Sequence, residues 1–387
     1  MRGNEFLDKM ELIDPAYVEA ADVKISKRKN TWVKWGAVAA CLALAVFAGT
    51  RLIPNGDTPS GLPMLTVSQH TSGETDMSLG FEGYAGYDAS ELVNANPWSE
   101  DAEISTLPVY KNQLSYDENL IAVGADFEAM ETFLLEVADR LGMDVDNLHI
   151  SDNAPSAEEQ AAVMEKGGDD LPDGYFNPTE LIAEEGGVKI EVDTSMTAKI
   201  TFAPAVPLPD YDDISSVAEY LKEAYKDLLR MDNPQINISL GNHNIEFYNA
   251  AGNMTEQIIN YNFNRVVFYL DDNGDLYIAR IYQPDLSKKV ADYPVISTEE
   301  ATELLLNGNY ITTVPYEMPG EEYVAKAELV YRTGMYEEYY MPYYRFHVEL
   351  PDMGEESGVK HFGMYYVPAV DKAYISDMPV WDGSFNR

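Results

Sequence analysis

Two histidines near the end of the chain have residue types and spacing that could do chemistry. His347 lies in RFHVEL and His361 lies in VKHFGM, and a hairpin between these segments would bring both near Glu349. Imidazole and carboxylate groups together can bind zinc, but a zinc site needs at least three well-placed ligands, and polar pairs across strands are common. We therefore predict no metal site here.

The run Asp271–Asp275, with the sequence DDNGD, offers a second possible metal site. It resembles the start of a calcium-binding loop, but its glycine comes at the wrong step, and Tyr282 stands where such a loop has its bidentate glutamate. The same residues are typical of a tight turn between two strands. We predict a hairpin turn rather than a calcium site.

The common catalytic signatures are missing from the sequence. It contains no GxGxxG, GxxxxGK[ST], GxSxG or HExxH motif, and its one cysteine, Cys41, lies in an apolar run near the start. Acidic residues are so numerous that close pairs arise by accident, so carboxylate catalysis cannot be argued from spacing. We predict a protein that is not an enzyme, with no catalytic residue and no cofactor.

Tyrosines crowd the last part of the chain and are the candidate interaction residues. Neighbouring strand residues face opposite sides of a sheet, so one ring of each adjacent pair points outward unless both faces are covered. Pro342 cannot donate to a central ladder and indicates an edge or a bulge, where a partner could add a strand. The alternative is that the rings fill a core. The predicted interaction residues are Tyr336, Tyr339, Tyr340, Tyr343 and Tyr344.

The elements that carry these residues are predicted from capping signals and periodicity. Asp126 and Asp213 each precede an apolar helical stripe, and Ser297 with Glu300 forms a capping box before a third. Strand patterns follow each helix. The fold class is therefore α+β, with repeated units of a helix and an antiparallel sheet behind one N-terminal transmembrane helix.

We predict five regions along the chain. They are a cytoplasmic juxtamembrane segment (1–31), a transmembrane helix (32–53), a stalk (54–103), a first α+β unit with a polar insertion at 152–186 (104–209), and a C-terminal α+β region of two units (210–387). The proline-rich stretch 204–209 separates the last two, and predicted strands include 258–270 and 372–376.

Charge is distributed very unevenly. Residues 1–51 hold eight basic and six acidic residues, which leaves 18 basic and 60 acidic residues for the rest of the chain, a net charge of −42 there. Affinity for nucleic acid depends largely on lysine and arginine. The balance therefore excludes nucleic acid as a partner.

Residues 32–53 are long and apolar enough to span a bilayer. Twenty-two residues cover about 33 Å as a helix, and the hydrocarbon core is about 30 Å thick. Positive charges gather on the N-terminal side, so the N-terminus is predicted in the cytoplasm and the bulk of the chain outside. Alternatives are a cleaved signal peptide ending near Ala48 and a lipoprotein modified at Cys41. The predicted membrane flank is Lys27, Arg28, Lys29, Lys34 and Arg51.

Three stretches carry a resemblance to known families. IDPAYVEAAD followed by KRKNTWVKWGAVAACLALAV is similar to the N-termini of membrane-anchored proteins of low-GC Gram-positive bacteria, some of them anti-sigma-factor-like. PVISTEEATELLLNG with AELVYRTG, MPYYRFHVEL and FGMYYVPAV resembles the closing unit of the extracytoplasmic regulators of the cell-wall histidine-kinase system, and more distantly PepSY-type domains. The resemblance implies a signalling role.

Together these features predict a single-pass, extracytoplasmic binding or regulatory protein of the bacterial cell membrane. Its predicted partner is a membrane-embedded or envelope protein, or a peptide, which it would modulate by contact. The alternatives are a solute-, glycan- or cation-binding ectodomain without a signalling role, and a carboxylate-based envelope hydrolase.

Overall fold

The computed structural model describes ten ranges of the chain, all within the unit Thr58–Arg387. They are 61–68, 83–86, 92, 94–116, 121–166, 171–209, 213–238, 244–334, 336–351 and 359–383. The predicted cytoplasmic segment, the predicted transmembrane helix and its basic flank lie outside them.

Six α-helices occur in the described ranges. They are α1 (Phe127–Arg140), α2 (Ala157–Glu165), α3 (Ile214–Ala224), α4 (Lys226–Leu229), α5 (Met254–Phe263) and α6 (Thr298–Leu306). Two short 3-10 helices, Glu321–Tyr323 and Lys372–Tyr374, complete the helical content there.

Eighteen strands account for most of the regular structure of the same ranges. They are β1 (Gly83–Gly86), β2 (Thr106–Lys111), β3 (Ser115–Tyr116), β4 (Ala122–Val123), β5 (Ile150–Asp152), β6 (Glu180–Glu185), β7 (Val188–Asp193), β8 (Thr197–Val206), β9 (Pro234–Ile238), β10 (Asn244–Asn249), β11 (Arg265–Leu270), β12 (Leu276–Tyr282), β13 (Lys289–Pro294), β14 (Ile311–Thr312), β15 (Val324–Tyr331), β16 (Tyr339–Tyr340), β17 (Pro342–Glu349) and β18 (Lys360–Pro368). The fold is α+β, as predicted.

The predicted helix starts are confirmed. The Asp126 side chain accepts a hydrogen bond from the backbone of Ala129 at the start of α1, and Asp213 accepts one from Ser216 at the start of α3. Ser297 and Glu300 form the reciprocal capping box of α6. Each cap satisfies backbone N–H groups that the first helical turn leaves without partners.

The largest sheet has eight antiparallel strands in the order β5-β6-β7-β8-β12-β11-β10-β9. One face buries Ile190, Ile200 and Phe268 against Met130 and Leu134 of α1, in a core that also includes residues of α3 and α4. Because β8 pairs with β12, the sheet joins strands from both sides of the predicted boundary at residue 209. Regions 104–209 and 210–387 therefore share one sheet.

A second sheet, called the C-terminal sheet, has the order β1-β18-β17-β15, with β14 also paired to β18. β17 is a central strand, and Pro342 is its first residue, where a missing N–H costs little. The edge inferred from this proline is therefore wrong for β17. Phe263 of α5 and Leu305 of α6 belong to the core on one face of this sheet.

Part of the predicted stalk belongs to the globular fold. Leu65 and Val67 are buried with Val109, Tyr293 and other residues in a third cluster. The Leu65 amide donates to the Tyr374 carbonyl at 2.8 Å, and the Ser376 amide donates to the Leu65 carbonyl at 2.9 Å. Residues 61–68 are thus held as an added strand-like segment.

Three local predictions differ from the structure. Residues 258–263 belong to helix α5 rather than to a strand, because Asn253 and Glu256 form a capping box that starts the helix at Met254. A 3-10 helix occupies Lys372–Tyr374 in place of the predicted strand. The predicted polar insertion 152–186 contains α2 and β6, and β6 is an interior strand of the eight-stranded sheet.

Candidate functional site

A groove of about 750 Å³ runs beside α6 and is the candidate functional site. The helix forms one wall, and the segment from Trp98 to Ile104 forms the other. Ile296 and Tyr344 lie between the walls. The residues that line this acidic groove are Trp98, Glu100, Ala102, Glu103, Ile104, Val295, Ile296, Ser297, Thr298, Glu299, Thr302, Glu303, Leu306, Glu321 and Tyr344.

The periodicity of α6 produces the first wall. Ala301 and Leu305 are fully buried against the C-terminal sheet, so residues on the opposite side of the helix face the groove. Glu299 and Glu303 are exposed on that side, and Leu306 is 44% exposed at the last turn. The wall therefore combines carboxylates with an accessible apolar side chain.

Asparagine side chains shape the second wall. The Asn96 side chain accepts a hydrogen bond from the Trp98 amide at 2.9 Å and donates one to the Leu329 carbonyl at 3.2 Å. The hydrogen bond to Leu329 attaches the segment around Asn96 to the edge strand β15. Trp98 then packs edge-on against Tyr344 with ring centroids 5.6 Å apart.

Tyr344 is held rigidly between the walls. Its hydroxyl donates to the Ile296 carbonyl at 2.8 Å, and the ring is almost completely buried. Burial raises the pKa of Tyr344, and the nearby carboxylates Glu299, Glu300 and Glu100 raise it further against a hydrogen bond from Thr298. The hydroxyl therefore stays protonated and keeps its role as a donor.

The groove carries a concentrated negative charge. Five exposed glutamates line it, none forms an ion pair with a basic side chain of the described ranges, and no lysine, arginine or histidine lines it. The pKa of Glu299 is lowered by backbone hydrogen bonding at the helix start and by the Ser297 hydroxyl. These carboxylates are Glu100, Glu103, Glu299, Glu303 and Glu321.

We compared the chain with known families and known proteins. No protein-family model matches it, and no curated protein matches it. The resemblance to envelope regulators therefore stays a prediction, and the groove is interpreted from its own geometry and charge.

A buried ionic cluster crosses the C-terminal sheet on the face opposite α6. Glu328 on β15 accepts hydrogen bonds from Arg345 Nε at 2.9 Å and from Asn94 at 2.6 Å, and Lys326 Nζ lies 2.6 Å from Glu328 Oε1. Burial would raise the pKa of Glu328, but the hydrogen bond with His347 and the charge of Arg345 hold it well below its ordinary value.

His347 is neutral in this cluster at neutral pH. Burial lowers its pKa and outweighs the opposing attraction of Glu328. Its Nε2 lies 3.1 Å from Glu328 Oε2, so the neutral ring donates there. Nδ1 is buried and has no hydrogen-bond partner among the described residues, so a proton added to it would find no acceptor.

Folding stability should therefore fall in acid in two stages. The unfolded chain takes up a proton at His347 near pH 6.5, above the folded-state pKa, so stability falls below about pH 7 by up to about 1.4 kcal/mol per pH unit. Glu328 adds a loss below about pH 5, because its folded-state pKa is depressed. Urea unfolding between pH 7.5 and 4 measures both stages.

The variant His347→Gln is the control for the first stage, because its amide keeps a donor for Glu328 but does not titrate. It should flatten the slope between pH 7 and 5.5 and leave the lower stage unchanged. Equal slopes for the two proteins in that interval would show that His347 is not the responsible group.

Glu337 is a second buried carboxyl, and it contacts a guanidinium rather than another carboxylate. Arg332 Nη2 lies 3.1 Å from Glu337 Oε1, and the guanidinium lies over the Tyr343 ring at 5.6 Å. Burial raises the pKa of Glu337, against the charge of Arg332.

Three of the five predicted interaction tyrosines are in the core. Tyr343 and Tyr344 are 0% and 4% exposed and belong to different clusters, because both faces of the C-terminal sheet are covered. Tyr340 is 8% exposed and packs 5.4 Å from the Phe263 ring. Only Tyr336 and Tyr339 are partly exposed. Of the five, Tyr344 lines the groove.

The residues of the two possible metal sites have structural roles instead. Asp271 closes the β11–β12 hairpin by accepting hydrogen bonds from the Asn273 and Asp275 amides. His347 pairs with Met364 in the register of β17 and β18, which places His361 on the opposite face. Within the described ranges, no three histidine, cysteine, aspartate or glutamate side chains converge as metal ligands.

The helices of the described ranges are too short or too polar to be membrane spans. None of them is long and apolar enough to cross a bilayer. The predicted span and the flank residues Lys27, Arg28, Lys29, Lys34 and Arg51 fall outside those ranges, so both stay predictions.

Proposed function

We propose that this chain is a membrane-anchored extracytoplasmic protein of the bacterial envelope that binds a protein or peptide segment in the acidic groove and thereby regulates its partner. The proposal combines the predicted span at 32–53 and its basic flank with the groove. Regulation by contact is the role that the resemblance to envelope regulators implies.

The observation that carries this proposal is the composition of the groove. Leu306 is 44% exposed and Ile296 is partly exposed, so these two side chains offer apolar surface. Trp98 and Tyr344 are almost completely buried and support the groove through hydrogen bonds and ring packing. Because the side chains of the groove are fixed, a partner meets a preformed surface, which lowers the entropy cost of binding. Ionised groups around them supply orientation and specificity.

A cation-binding function is the second candidate, because the five glutamates have no basic partner among the described residues. All five are exposed, however, and calcium binding needs six to eight oxygens that converge on one point. Hydrolysis receives less support, since all five groove carboxylates are exposed, whereas burial is what gives a general acid its raised pKa.

One labelling experiment tests both location and contact. Leu306→Cys places a thiol in the groove, and Tyr277→Cys places one on β12, at a residue that is 37% exposed and outside the lining of the groove. Both are made with Cys41→Ser, so that each chain has a single thiol. Intact cells receive a membrane-impermeant reagent that reacts with thiols and then crosslinks on illumination.

We expect both cysteines to be labelled, and only Leu306→Cys to give a discrete crosslinked product. If neither thiol is labelled in intact cells, the extracytoplasmic location is contradicted. Equal products from both positions would contradict the groove as the site of contact.

A further inference from the structure

The acidic groove shows what kind of segment it would hold. We propose that its occupant is a short, extended, cationic peptide segment in which lysine or arginine alternates with apolar side chains. This inference rests on the proposed function, because it names the partner class of the same site.

Dimensions favour a short extended segment. α6 has nine residues and is about 13 Å long, at about 1.5 Å per residue. An extended chain rises about 3.3 Å per residue, so about four residues lie along the helix. A volume of about 750 Å³ is of the size that small-ligand and peptide pockets have.

Charge decides between classes of occupant. Glu299 and Glu303 on one wall and Glu100 and Glu103 on the other lie within a groove that contains no basic side chain. Salt screens only in part the attraction between these carboxylates and a basic side chain in contact with them, since the Debye length is about 8 Å at physiological ionic strength. An acidic segment is repelled, and a neutral one leaves the mutual repulsion of the carboxylates in place.

The pattern of the occupant follows from the arrangement of the groove. Apolar side chains line the groove together with the carboxylates: Leu306 is open to solvent at the last turn of α6, Ile104 and Ile296 are partly exposed, and Trp98 and Tyr344 are almost completely buried. Successive side chains of an extended segment point to opposite sides. Alternation lets apolar side chains contact Leu306, Ile104 and Ile296 while the basic ones reach the carboxylates.

The wider surface is also acidic, so the test must separate the groove from general attraction. Glu299 and Glu303 are exposed glutamates on the early turns of α6. Glu128 is the second residue of α1, as Glu299 is of α6, and Glu131 lies one position earlier in its helix than Glu303; both are exposed and do not line the groove. Reversing either pair to lysine changes the net charge by the same amount.

The probes are three capped six-residue peptides that alternate leucine with lysine, serine or glutamate. Binding to the full-length chain in a mild detergent is measured by fluorescence anisotropy at about 0.15 M salt. We expect the lysine peptide to bind best. Glu299→Lys with Glu303→Lys should weaken it by about tenfold or more and strengthen the glutamate peptide, since two attractions become repulsions. Glu128→Lys with Glu131→Lys should change either affinity by less than about threefold.

Three results would overturn the proposal. Equal loss from the two reversed pairs would mean that general surface charge attracts the peptide. Equal affinity for the serine and lysine peptides would mean that the groove selects apolar segments without regard to charge. Absence of binding by all three peptides would reject the peptide class. In each case, a crosslink specific to Leu306→Cys in cells would still uphold the proposed function, and its absence would not.

Discussion

A chain that begins at residue 104 should fail to fold at 25 °C, whereas one that begins at residue 58 should unfold cooperatively. The shorter chain lacks four side chains that are 0% to 9% exposed, namely Leu65, Val67, Leu92 and Trp98. Deleting each such side chain costs roughly 2–5 kcal/mol, and the combined loss, on the order of 10 kcal/mol, matches the whole stability of a typical domain, about 5–15 kcal/mol.

Hydrogen bonds add to this loss. Tyr293 donates to the Pro63 carbonyl at 2.9 Å, and Tyr248 donates to the Ala95 carbonyl at 2.8 Å. Without residues 58–103 both hydroxyls exchange these acceptors for water, and a net hydrogen bond contributes about 0.5–1.5 kcal/mol. Circular dichroism and urea unfolding of the two chains measure the difference. A cooperative urea transition of the chain 104–387 with a midpoint close to that of the chain 58–387 would contradict the role of this segment.

The burial of part of residues 58–103 could not be predicted from the sequence alone. The proline, glycine, serine and threonine content of this segment is typical of a linker, and its apolar residues have no helical or strand period. Leu65 and Val67 are buried by residues about 300 positions away, such as Tyr374 and Ile375. Local pattern cannot reveal a partner at that distance, so the predicted stalk included residues that belong to the core.

The sequence predicted helix starts and a hairpin turn correctly, because these depend on hydrogen bonds between residues that are close in the chain. Asp126, Asp213 and the Ser297–Glu300 box cap helices by accepting hydrogen bonds from neighbouring amides, and Asp271 accepts one from the amide four residues later in the β11–β12 turn. Asn253 with Glu256 is the same kind of signal at the start of α5, but the strand predicted for 258–270 rests on the apolar run alone. The α6 side of the groove could also be predicted from the sequence. Once the apolar stripe of α6 is placed in the core, Glu299 and Glu303 must lie on the exposed side of the helix.

The prediction of exposed tyrosines was wrong for Tyr340, Tyr343 and Tyr344, and the reason is the topology of the fold. Alternation along a strand predicts one exposed ring in each adjacent pair only when one face of the sheet meets water. Here Tyr343 packs with Leu65 and Val109 while Tyr344 packs with Trp98, so both faces are buried. Sequence order did not show that the residues before position 104 return to cover this sheet.

Replacing Glu328 by alanine should destabilise the protein by about 3–5 kcal/mol, the largest effect that we expect from a single substitution. Glu328 is 1% exposed and is the shared partner of Lys326, Arg345 and His347. Its removal leaves the Arg345 guanidinium partly buried without a counterion, and a broken buried ion pair costs more than the intact pair contributes. The free energy of unfolding in urea at pH 7.5 measures the loss.

The pair of Glu349 and Lys360 supplies the control, because it also joins adjacent strands of the C-terminal sheet. Its nitrogen and oxygen are 2.6 Å apart, but the side chains are 27% and 44% exposed. Water solvates both groups when either partner is lost, so Glu349→Ala should cost less than about 1 kcal/mol. Glu328→Gln should fall between the two alanine variants, since the amide oxygen still accepts from Arg345 while the charge is gone. Similar losses for Glu328→Ala and Glu349→Ala would show that burial does not make the Glu328 cluster special.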